Sequence, residues 1–215
     1  MVHPCPMACV HPVPERRPSF EAPSTPSQFR ALWDEAVSFP EFLRGVRQLG
    51  PLWEGSYRHI EIPPWALDAY GSLEDDLRLL VINGDWCIDS ATTVPILARL
   101  AERVPGLSLR VLERDEYPQV MDRYLTEGTR SIPLVILLDR DFNELGHWGP
   151  RPEELQAWVR ANLETMPKEE RLREQRRWYA RDRGESVLRE ILGVVGLGLR
   201  TEDLVLRAGT QDSGN

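Results

Sequence analysis

Of the three cysteines in this 215-residue chain, Cys5, Cys9 and Cys87, only Cys87 sits among elements able to hold a reactive thiol in place. An odd number of cysteines in a chain this long does not fit a secreted disulfide framework, so at least one thiol is free. The segment Asp85-Trp86-Cys87-Ile88-Asp89-Ser90 ends an apolar run and opens a stretch with helical spacing. A thiol at a helix N-terminus meets free backbone N–H groups and the positive end of the helix dipole, and both favour the thiolate, the form that attacks disulfides. Asp85 and Asp89 act against it, because a nearby negative charge disfavours a second anion. The balance predicts a modestly activated thiol. Asp89 also has a plain structural reading, since an acid in the first helical turn stabilises a helix by a few tenths to about 1 kcal/mol. His3, Cys5, Cys9 and His11 form a second cluster of metal-capable side chains, but the prolines around them and the lack of apolar support speak against a zinc site, so no metal is expected. A tail cysteine acting on Cys87 is a weaker alternative. His59 and His147 fall in no ligand spacing and read as packed or surface residues.

The elements that must position Cys87 follow from periodicity. Residues 77–82 are apolar or β-branched except for Arg78, and Asn83-Gly84 ends them, which predicts a buried strand. Val94, Leu97, Ala98 and Ala101 place one apolar face on a helix that starts near Cys87, bends at Pro95 and stops at Pro105-Gly106. A strand over 107–112, a helix over 117–125, a strand over 133–138, a tight turn at Asp139-Arg140-Asp141, a return strand over 142–148 and a helix opening at Pro152-Glu153-Glu154 complete the series. The order strand, helix, strand, helix, strand, strand, helix predicts an α/β fold. Its mixed sheet should be parallel across both helical crossovers and antiparallel at the hairpin, with helices on both faces.

Around this domain, placed at 77–165, the flanks read differently. Prolines at 4, 6, 12, 14, 18, 23 and 26 predict a disordered tail over 1–26. In 27–76, Ser27 caps a helix carrying Phe29, Leu32, Trp33, Ala36 and Val37, Pro40 interrupts it, and a second short helix covers 42–49. Residues 51–70 read as an irregular segment held by Trp53, Tyr57, Trp65 and Tyr70. A C-terminal helical extension occupies 166–215, with a surface helix over 168–183, another over 186–195 and a flexible end. Gly193, Gly196 and Gly198 follow a helix rather than a strand and read as a cap and turn, not a phosphate loop.

Two pieces in this order, Trp86-Cys87-Ile88-Asp89-Ser90 after the first strand and Ser131-Ile132-Pro133 before a later one, resemble the Trp-Cys-x-x-Cys site and the cis-proline loop of the thioredoxin superfamily. The run from Leu125 through Thr129-Arg130 to Pro133, with Trp148-Gly149-Pro150-Arg151-Pro152, is similar to a bacterial branch of thioredoxin family proteins in which the second cysteine is often absent. The resemblance covers residues 77–163. It implies a thioredoxin-like fold, Cys87 as nucleophile, and Ser90 where the resolving cysteine would stand. No intramolecular disulfide forms at such a site, so a mixed disulfide must be resolved by an external thiol such as glutathione, with no other cofactor. Val81, six residues before Cys87, stands where many relatives carry a buried acid. The resemblance also implies that Pro133 is cis, that Ile132 lies beside the sulfur, and that Trp86, Ile132 and Pro133 bind substrate. Sequence alone favours a trans proline at a strand start and a tryptophan that merely packs.

A net charge of -8 excludes a phosphate-tracking surface, so nucleic acid is not an expected partner. No window approaches the roughly 18 apolar residues of a bilayer-spanning helix, and the start Met1-Val2-His3-Pro4-Cys5-Pro6 lacks secretory character, which together predict a cytoplasmic protein acting on protein or small-molecule thiols and disulfides. Three readings stay open: a monothiol thiol-disulfide oxidoreductase, a non-catalytic protein-binding module in which Cys87 is incidental, and a redox sensor.

Overall fold

Seven consecutive residues, Leu77–Asn83, form a strand in which every side chain except Arg78 is buried. Arg78 is tolerated because its guanidinium donates to the Asp139 carbonyl at 2.8 Å and covers the Phe142 ring at 4.5 Å. This strand is β2 in a computed structural model that describes residues 22–73 and 76–196. The proline-rich tail before residue 22, with His3, Cys5, Cys9 and His11, and the end beyond 196, with Gly198, lie outside the described residues.

With β1 (Val37–Ser38), β3 (Leu107–Glu113), β4 (Leu134–Leu138) and β5 (Glu144–Trp148), β2 builds a five-stranded sheet in the order β1-β3-β2-β4-β5. The mixed sheet expected from the sequence is present. The chain crosses from β2 to a parallel β3 through α5 (Ile88–Arg103), and β4 and β5 form an antiparallel hairpin. The second crossover departs from expectation, because β4 runs antiparallel to β2. Its helix α6 (Pro118–Arg123) has only 6 residues and spans about 9 Å, against about 23 Å for the 7 residues of β3. The chain therefore re-enters the sheet at the end it left, which brings the segment before β4 to the C-terminal end of β2, beside Cys87.

Alternation along β2 feeds two cores. Leu79 and Val81 join Ala91, Val94 and Leu97 of α5 on one face; Leu80 and Ile82 join Val120 and Met121 of α6 and Phe29 and Trp33 of α1 (Pro26–Glu35) on the other. Each such side chain withdrawn from water contributes about 1.5–3 kcal/mol.

Several flanking expectations need correction, and prolines are the common reason. Thr25, not Ser27, caps α1: Pro26 takes the first helical position, and Thr25 closes a capping box with Gln28. Val37 leaves that helix to pair with Val111 in β1, and Pro40 lies in the first turn of α2 (Phe39–Gly45), earlier than the helix expected over 42–49. The segment 51–70 is not irregular. Pro51 and Pro64 open α3 (Gly50–His59) and α4 (Pro64–Gly71), where a first-turn proline loses no helical hydrogen bond.

After β5 come α7 (Glu153–Ala161), α8 (Lys168–Asp182) and α9 (Glu185–Val194). The helix expected to lie on the surface, α8, buries Gln175 and Tyr179, with Tyr179 in a cluster with Leu155 and Val159. The two flanks also meet: the Tyr70 hydroxyl donates to the Leu188 carbonyl at 3.0 Å, and the Trp65 indole to Glu185 at 3.0 Å.

Candidate functional site

Asn83 ends β2, and the chain turns through Gly84, whose carbonyl accepts from the Cys87 amide at 3.1 Å. A Cβ added at Gly84 would lie 2.9 Å from the Trp86 indole nitrogen, so a larger residue here would have to displace that ring. The turn delivers Cys87 as the N-cap of α5, in extended conformation, with its Sγ accepting from the Ser90 amide at 3.5 Å. The sulfur thus takes the place of the oxygen that usually caps a helix. On its other side the thiol donates to the Ile132 carbonyl at 3.4 Å. The Ile132–Pro133 peptide is cis, as is Gly149–Pro150.

Of the residues singled out in the sequence, the structure brings Cys87, Ser90, Ile132 and Pro133 together. Trp86 lies at the rim, 40% exposed, with the Arg114 guanidinium 4.5 Å over its ring. Ser90 is fully buried; its hydroxyl makes no normal hydrogen bond yet lies close enough to favour the thiolate. Val81 is buried in the apolar face behind α5.

The two acids flanking Cys87 have different fates. Asp85 accepts from the backbone amides of Arg47 at 2.8 Å and Gln48 at 2.9 Å, while its carbonyl accepts from the Trp53 indole at 2.9 Å. Its charge is spent on fastening the segment before α3. Asp89 turns inward instead and is 5% exposed; Arg151 approaches Oδ2 at 2.6 Å, and the Tyr179 hydroxyl donates to Oδ1 at 2.9 Å. Burial raises its carboxyl above the usual range, opposed by Arg151 and Tyr179.

Cys87 is only 8% exposed. Burial pushes its thiol upward, the Asp89 charge adds to this, and contacts with Ser90 and the Asp89 amide oppose it. The modest activation predicted from sequence is therefore reversed in sign. Spacing revealed the helix end and the acids, but not that apolar neighbours would desolvate the sulfur. Nor did it reveal Arg151 and Tyr179, which join the site from 62 and 90 residues away; Arg151 was visible only within the Trp148-Gly149-Pro150-Arg151-Pro152 run.

At the C-terminal end of β3, Glu113 is pushed up to about 7 by partial burial and by the charges of Asp85, Glu116 and Asp115. His59 bonds to the Gly55 carbonyl at 2.9 Å and His147 packs on Tyr124, so both are structural or surface groups. Among the described residues no three His, Cys, Asp or Glu side chains gather as a metal site, and no helix is long and apolar enough to cross a membrane.

A mixed five-stranded sheet between helical layers, with a cysteine capping the helix that follows its central strand, defines a thioredoxin-like protein. The family described as Thioredoxin matches residues 36–173, and the chain belongs to that family. Among solved structures it is similar to a protein of unknown function from Pseudomonas aeruginosa, with TM-score 0.62 and 21% identity over 77% of this chain and 95% of that one. It is also similar to an HIV epitope-scaffold, with TM-score 0.61 and 19% identity over 78% and 96%. At these identities the likeness is one of fold. No curated protein matches the chain.

Proposed function

We propose that the protein is a monothiol thiol-disulfide exchange protein of the reducing cytoplasm, acting on protein or small-molecule disulfides, with Cys87 as nucleophile. The observation that carries this reading is the seat of the Cys87 sulfur, between the Ser90 amide and the Ile132 carbonyl of the cis-proline segment. The Cys87 thiolate attacks one sulfur of a disulfide RS–SR′, forming Cys87–S–S–R and releasing R′S⁻. An external thiolate such as that of glutathione then attacks the R sulfur, forms a new disulfide with it, and returns the Cys87 thiolate. Ser90 performs no resolving step but donates its amide to the sulfur. Trp86, Ile132 and Pro133 offer the surface on which the substrate chain rests.

A raised thiol makes the first attack slow near neutrality and makes Cys87 a poor leaving group, so the mixed disulfide is long-lived. That consequence supports a second reading, a binding module in which the groove at Trp86 and Pro133 holds a partner whether or not the sulfur reacts. The test is incubation with glutathione disulfide of the full chain carrying Cys5→Ser and Cys9→Ser, followed by intact mass spectrometry. The exchange reading expects one glutathione adduct, lost in Cys87→Ala and removed by free thiol. No adduct, with partner capture unaffected by Cys87→Ala, selects the binding module.

A further inference from the structure

A carboxylate that only stabilises a helix start can remain in solvent, whereas Asp89 is withdrawn from it and held by groups from two distant parts of the chain. Arg151 arrives from the Gly149–Pro150 segment after β5, and Tyr179 from the middle of α8. Burying such a charge is unfavourable unless it is paired and hydrogen-bonded, and both carboxylate oxygens have partners. The guanidinium cannot lose its proton, and at 2.6 Å from Oδ2 it opposes the upward push of burial on the Asp89 carboxyl.

We infer that Asp89, clamped by Arg151 and Tyr179, is a positioning residue that sets the readiness of Cys87 to react, which makes helix α8 part of the active site. The inference rests on the reading of Cys87 as the reacting group. The groups that face the sulfur are the Asp89 carboxylate and Ser90 on α5, the Ile132 carbonyl before β4, and the Arg151–Tyr179 pair behind Asp89; the Asp85 carboxylate is engaged by Arg47 and Gln48. Deleting the Asp89 charge removes a repulsion and favours the thiolate. Deleting the Tyr179 hydroxyl leaves that charge less compensated and disfavours it. A purely structural role would loosen the site and hydrate the sulfur in both variants, moving both in one direction.

The experiment measures the pH midpoint of Cys87 ionisation by ultraviolet thiolate absorbance and by iodoacetamide alkylation, in the full chain with Cys5→Ser and Cys9→Ser. Asp89→Asn is expected to lower the midpoint and raise the thiolate fraction at neutral pH about tenfold. Tyr179→Phe is expected to raise the midpoint and reduce that fraction about two- to threefold. Shifts of the same sign, or none, overturn the inference. Asp89→Asn leaves the half-buried Arg151 beside a neutral partner and can unfold the chain; Tyr179→Phe keeps the ring and the ion pair and then decides alone, since an unchanged or lower midpoint overturns the inference. Opposite shifts in a chain that forms no glutathione adduct would discard exchange and leave Asp89 as the control of the thiol. An adduct without those shifts would do the reverse.

Discussion

The Cβ that Gly149 lacks would fall on the carbonyl oxygen of Pro133, and would also sit 3.1 Å from its carbonyl carbon and 3.5 Å from the Leu134 Cα. The two proline segments are thus in backbone contact. One presents the Ile132 carbonyl to Cys87 and the other presents Arg151 to Asp89.

Gly149→Ala should therefore be among the costlier glycine substitutions. Its φ of +125 is strained for any side chain, and the obstacle is backbone that cannot swing away. A loss of about 2–4 kcal/mol is expected in urea unfolding. Gly128→Ala, with φ +75 but open space around it, provides the control and should cost only about 1–2 kcal/mol.

Ser90→Cys should restore a dithiol pair. Ser90 is fully buried and its amide already reaches the Cys87 sulfur, so a second sulfur at this position is expected to come within exchange distance. Quantification of free thiols after mild oxidation should show the loss of two thiols per chain, and insulin reduction should rise above the wild-type background. An unchanged thiol count would mean that the geometry around Cys87 does not support exchange.

Alkylation of Cys87 should titrate above the ordinary free-thiol value of about 8.5, each unit of elevation slowing the neutral-pH reaction roughly tenfold. The same shift bears on stability. The folded state holds the proton more tightly than the unfolded state, so the contribution is complete below the unfolded value and is lost as pH rises through the folded one. Replacing Cys87 with Ala should flatten the alkaline fall in urea midpoint; an identical fall in the variant would contradict this.

Glu113→Gln should stabilise the protein at neutral pH. The native carboxyl is pushed from its ordinary 4.5 to about 7, so folding favours the protonated form and stability declines as pH rises through this window. Glu113 is shielded only in part and keeps contact with solvent, whose screening makes the effect smaller than the shift alone would give. Urea midpoints at pH 5 and pH 7.5 should differ less in the variant than in the wild type.

Sequence patterns specified the elements around Cys87 because each carried a local signal: the apolar runs of β2, broken only by Arg78, and of β4, the Asn83-Gly84 stop and the Pro105-Gly106 stop. They misjudged the direction of β4, since a short α6 and the path of the chain after it carry no periodic mark. They misjudged 51–70 because a proline that opens a helix and one that ends it look alike in sequence, and Pro51 and Pro64 open helices. At the site, the spacing from Trp86 to Ser90 and the Ile132-Pro133 pair were legible, whereas the inward turn of Asp89 depends on partners at Arg151 and Tyr179 that only the folded chain brings near.

The bond from Tyr70 to Leu188 joins residues 118 positions apart, and its meaning lies in the order of events as the chain folds. Closing so long a loop has a large entropic penalty until the sheet has drawn its two ends together. On this ground the flanking helices are expected to dock after the strands have paired, and Tyr179, carried by the helix just before α9, to reach Asp89 late as well, which pulsed hydrogen exchange would show as later protection of α8 and α9 than of β2 and β4. In that order of events the thiol would acquire its final surroundings only with the arrival of α8.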